Sequence, residues 1–101
     1  MNPIWIGMFQ VTGPRENAQL DGDVGAWLWI AAQAEDGDKL QLRVTNAMKD
    51  LGLTVVEAEN LQEVVDESEL SEEQAALIPE ARRKVESVVC GTWHRFKNHD
   101  A

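Results

Sequence analysis

The sequence predicts an α+β fold, a two-layer sandwich in which a four-stranded, mainly antiparallel sheet carries two helices on one face. Three observations predict it. Four apolar runs are too short for helices and rich in β-branched or aromatic residues. Two longer segments repeat their apolar residues at helical spacing. The chain has 101 residues, of which 44% are hydrophobic, enough for one compact core without covalent staples.

Residues 4–11 (Ile-Trp-Ile-Gly-Met-Phe-Gln-Val) read as the first strand, and Thr12-Gly13-Pro14 ends it. The polar, glycine-containing stretch 13–23 reads as a loop. Residues 25–34 read as a second strand, with Trp27 and Trp29 on one face and Leu28 and Ile30 on the other. A strand apolar on both faces belongs in the middle of a sheet.

Residues 37–51 read as a helix. Leu40, Val44, Ala47, Met48 and Leu51 share one helical face. Asp36 or Asp38 is placed to cap its start, and Gly52 to follow its end in the left-handed conformation. Residues 53–58 read as a third strand that can continue to Val65. Residues 72–86 read as a second helix, opened by a capping box at Ser71-Glu72-Glu73-Gln74. Pro79 interrupts it, which predicts a kink or two short helices. Residues 88–96 read as the last strand, followed by a polar, flexible tail over 97–101. The order β-β-α-β-α-β suits a ferredoxin-like arrangement or a variant of it. That architecture hosts many unrelated functions, so the residues must carry any functional argument. The whole chain, 1–101, reads as one domain.

Catalytic signatures are weak. Cys90 and His94 are the one candidate nucleophile–base pair. On a regular strand they share a face, about 13 Å apart at about 3.3 Å per residue. That is too far for a hydrogen bond, so Cys90 reads as a structural thiol. His94 and His99 lack metal-ligand spacing. No phosphate-binding glycine loop and no nucleophile elbow occurs. The expectation is therefore a protein with no catalytic residues, no cofactor and no metal.

Charge is the strongest anomaly. The net charge is −9, which disfavours direct contact with nucleic acid or an anionic membrane. From Asp50 to Glu80 there are ten carboxylates and no Lys or Arg. Carboxylates at a helix start explain Glu72 and Glu73. They leave Glu57, Glu59, Glu63, Asp66, Glu67 and Glu69 as a candidate docking surface for a basic protein. Arg82, Arg83, Lys84, Arg95 and Lys97 cluster near the C-terminus. Opposite patches of this kind permit either internal neutralisation or head-to-tail self-association as a homodimer.

Tryptophan is the second anomaly, with four in the chain and no tyrosine. All four fall in predicted strands. Trp27, Trp29 and Trp93 are candidate interface anchors, since tryptophan is among the commonest residues in that role. The combined expectation is a non-enzymatic protein-binding domain. An immunity protein or antitoxin that masks a basic, nuclease-like toxin has this chemistry, as does a phage-encoded inhibitor that mimics nucleic-acid charge. The alternative is a small-molecule-binding or catalytic ferredoxin-like domain, dimeric, with a pocket between the sheet and loop 13–23. The start Met1-Asn2-Pro3-Ile4-Trp5 lacks a basic segment followed by a long apolar one, so it does not read as a signal peptide. With no long apolar run and one cysteine, the expected location is the cytoplasm.

Overall fold

The computed structural model describes residues 2–96, so the tail predicted over 97–101 lies outside the described residues. The elements follow the predicted order. Strand β1 is Ile4–Thr12, β2 is Gly25–Gln33 and helix α1 is Gly37–Asp50. Strand β3 is Thr54–Glu63, and the short helices α2 and α3 are Glu72–Ala75 and Ile78–Arg83. The final strand is split into β4 (Val89–Cys90) and β5 (His94–Phe96). All pairings are antiparallel, in the order β3-β1-β2-β4, with β5 also pairing to β2. The class is α+β with an antiparallel sheet, and five strands fill four positions.

Local chemistry sets the boundaries. Asp36 caps α1 by accepting a hydrogen bond from the Lys39 amide at 2.9 Å. Gly52 follows α1 at φ +78, a conformation that costs glycine little. Ser71 and Gln74 bond reciprocally at 2.9 and 3.2 Å, completing the predicted capping box. Pro79 lies in the first turn of α3, where its missing N–H costs nothing. It therefore divides the predicted helix into α2 and α3.

The two faces of the sheet bury different residues. Phe9 and Val11 of β1 and Ala26, Leu28, Ile30 and Ala32 of β2 pack against Leu40, Val44 and Met48 of α1. Ile6 and Ala31, of opposite strand parity, pack against Leu77 and Ala81 on the other face. The sandwich of sheet and α1 is as expected, but the second helical segment lies on the far face, not beside α1. Two constraints explain this. The chain must travel from β3 at one edge to β4 at the other, and α1 already occupies the first face. Ile6 and Ala31 also need apolar cover on the second.

Buried Gln33, 2% exposed, anchors that crossing. Its amide donates to the carbonyls of Ala81 (3.1 Å) and Arg82 (3.0 Å) at the end of α3. In the loop between β1 and β2, Leu20 plugs the main core and the Asn17 side chain donates to the Leu51 carbonyl at 2.7 Å. Leu20 thus ties this loop to the main core. No helix among the described residues is long and apolar enough to cross a membrane.

Candidate functional site

On the face opposite α1, cover by α2 and α3 is incomplete. Ile6 and Ala31 are fully buried there, while Met8 and Gln10 of β1 and Trp27 and Trp29 of β2 stay partly exposed. Strand register builds two rows across this open area. Gln10 pairs with Trp27 on one side and Glu57 on the other. Met8 pairs with Trp29 and Glu59 in the same way. Directly paired residues share a face. Each row therefore runs from an exposed carboxylate on the edge strand, through a β1 side chain, to a partly exposed indole.

The far end of the first row is His94, which pairs with Trp27. Its Nε2 lies 3.1 Å from Glu73 Oε1 on α2, which joins the helix start to the strand. Trp29 packs against the smaller core cluster of Ile6, Ala31, Leu77 and Ala81. One indole is thus held by the helical segment, and the other lies between Gln10 and His94.

Four of the residues singled out in the sequence, Glu57, Glu59, Trp27 and Trp29, meet on this face. The others do not. Glu63 pairs with Trp5, on the α1 side. Asp66, Glu67 and Glu69 form a short 3-10 turn beyond β3. Trp93 packs on the main core on the α1 side. Met8, Gln10, His94 and Glu73 complete the face. Strand parity put Met8 and Gln10 on a common side, but only the register brings them between the acids and the indoles.

The charges divide into satisfied and unsatisfied groups. Arg82 pairs with Glu67, and Arg83 and Lys84 both pair with Glu80. Arg95 reaches Asp21 at 3.4 Å. The basic cluster is therefore largely neutralised within the chain; Lys97 lies outside the described residues. Asp66 accepts from the Ser68 amide and hydroxyl, which holds its carboxyl below the usual carboxylate range. Its charge thus has a local structural use. Among the described residues, Glu57 and Glu59 take part in no ion pair.

Part of their presence has a structural reason. Strand β3 is an edge, and charges and bulges discourage edge-to-edge aggregation. Two register shifts fall on it, around Val55–Val56 and Asn60–Leu61, with Asn60 at φ +54. That role needs charge on β3. It does not need the charge to lie level with two tryptophans.

The fold does not bring Cys90 and His94 together. One extra residue between β4 and β5 shifts the register, so Cys90 pairs with Ile30 and His94 with Trp27. The bulge sends Cys90 and His94 to opposite faces, unlike the shared face expected of a regular strand. Burial pushes the Cys90 thiol up to about 11, so it keeps its proton in neutral solution. Cys90 lines a groove of about 520 Å³ beside Met48, Ala47, Arg43 and Val88. Among the described residues no three His, Cys, Asp or Glu side chains gather to hold a metal ion. The chain matches no protein-family model, and neither a curated protein nor a solved structure shows a significant match to it.

Proposed function

We propose that this chain is a non-enzymatic protein-binding domain that docks a basic protein on the sheet face of Trp27, Trp29, Glu57 and Glu59. The observation that carries the reading is the pair of cross-sheet rows, in which carboxylates without cationic partners lie level with partly exposed indoles. Each half has a function in binding. Unpaired carboxylates attract a basic surface over distance and speed encounter. Indoles bury large rigid area once contact is made and act as anchors. A nuclease-like toxin is basic where it holds phosphates, so an acidic inhibitor that covers that surface blocks substrate at once. An immunity protein or antitoxin works in this way, and a phage-encoded mimic of nucleic-acid charge uses the same chemistry.

The test is a pull-down from host extract at low and high salt, followed by association kinetics with the captured basic protein. Glu57→Gln with Glu59→Gln should slow association several-fold at low salt and little at high salt. Glu63→Gln, on the other side of the sheet, serves as the control and should change it little. Equal effects from both variants would reject this face as the docking surface.

A small-molecule reading rests on the groove at Cys90, where Met48, Ala47 and Val88 supply an apolar floor and Arg43 and Asn46 polar rims. Arg43 already donates to the Val85 carbonyl at 3.0 Å, which leaves the groove fewer free donors. A metabolite that raises the melting temperature and protects Cys90 from alkylation would favour this alternative.

A further inference from the structure

We infer that the open face is built to read arginine in preference to lysine, with Glu57–Gln10–Trp27 and Glu59–Met8–Trp29 forming two cradles for guanidinium groups about 7 Å apart. This rests on the basic-partner reading above and names the chemistry of that partner.

Spacing supplies the first argument. Neighbouring strands lie about 4.8 Å apart, so each carboxylate strand is about 10 Å from the indole strand, with one β1 side chain between. A group above that central side chain reaches both ends of its row. Guanidinium is planar, so its N–H fork can bond the carboxylate while its face lies on the indole. It is also weakly hydrated, so partial burial costs it less than it costs an ammonium. A lysine ammonium is a compact point charge. It satisfies one end of the row and gains less from the other.

The central residues fit the same occupant. Gln10 offers an amide oxygen as an additional acceptor in the first row, and Met8 offers a flexible, polarizable thioether in the second. The His94–Glu73 pair closes the far side of the first row, with the Glu73 carboxylate against the His94 ring.

Row-to-row spacing defines the partner's shape. The rows are two residues apart along the strands, about 6.8 Å. Alternate side chains of an extended chain are spaced equally, so an Arg-x-Arg segment lying along the face fills both cradles. Addition of that segment to the free edge of β3 is disfavoured. The bulges at Val55–Val56 and Asn60–Leu61 leave 57–59 as the longest run in unbroken register. The segment therefore lies over the sheet and not beside it.

The test uses two blocked hexapeptides, acetyl-(Thr-Arg)3-amide and its lysine counterpart, titrated into the full chain at low salt. Binding is read by amide chemical shifts. The arginine peptide should bind about fivefold more tightly, with the largest shifts at residues 8–10, 27–29 and 57–59. Trp27→Leu should reduce that preference to about twofold, the share of the intact Trp29 cradle, while leaving residual binding of both peptides. Glu57→Gln, an exposed and conservative change, should weaken both and serves if Trp27→Leu is unstable. Equal affinity of the two peptides would overturn the arginine inference and leave the basic-partner reading standing. No binding of either peptide up to millimolar concentration would overturn both.

Discussion

Replacing Gln33 with Met should unpin the helical segment that half-covers the sheet face of Trp27 and Trp29. The two side chains are close in volume, so the substitution mainly removes the amide. Gln33 Nε2 donates to Ala81 O and Arg82 O at 3.1 and 3.0 Å. These carbonyls end α3 and have no intrahelical partner. Helix α3 has six residues, too few to persist without tertiary contacts. Ala81 is fully buried, so its orphaned carbonyl costs about 1–3 kcal/mol. Arg82 is exposed, and its carbonyl can recover water at small cost. The apolar side chain offsets about 0.5 kcal/mol or somewhat more. The net loss is about 2 kcal/mol, which for a chain of this length lowers the melting temperature by about 8–16 °C. Urea denaturation should show a lower midpoint at unchanged slope. Hydrogen exchange should speed first at residues 78–83, before the amides of β1 and β2. An unchanged midpoint with normal protection of α3 would refute the argument that this side chain holds the segment in place.

Other outcomes follow from close packing and from burial. A Cβ at Gly25 would lie 2.5 Å from the Phe96 ring and 2.7 Å from the Val11 carbonyl oxygen. The ring can swing away but the neighbouring strand cannot, so Gly25→Ala should destabilise by about 1–3 kcal/mol in a thermal melt; equal or higher stability would contradict the packing. Burial raises the Cys90 thiol from 9.0 to about 11. The folded chain keeps this proton where the unfolded chain loses it. Its contribution is complete below pH 9 and is lost as pH rises to about 11, by at most about 3 kcal/mol. Cys90→Ala should flatten the stability curve over that window, and identical slopes for the two proteins would reject the shift. Alkylation of the native thiol at neutral pH should be slow compared with the unfolded chain.

Much of the fold was legible in the residues themselves. Helical spacing at Leu40, Val44 and Met48, the capping box at Ser71 and Gln74, and Pro79 between two short helices all act over a few residues. Such signals need no knowledge of distant contacts. The two apolar faces of β2 also marked it as a central strand, which it is. Crossover rules favour a common face for both helical segments, which predicts the second beside α1. Its real position depends on the strand order and on which apolar residues α1 leaves uncovered. The bulge between Cys90 and His94 reversed their faces for a similar reason: a one-residue insertion changes strand parity without a distinctive sequence mark.

The candidate site shows the same division. Composition alone determined that the chain is acidic, rich in tryptophan and poor in catalytic signatures, and strand parity put Trp27 and Trp29 on one side. Tertiary structure decided which carboxylates join them. Glu57 and Glu59 reach that face through pairing with β1, while Glu67 is neutralised by Arg82 and Glu63 lies on the other side. The physical reason is that side-chain direction along one strand has a local period of two. Which residue stands across the sheet depends on register, bulges and strand order, and these are set by burial of the whole core.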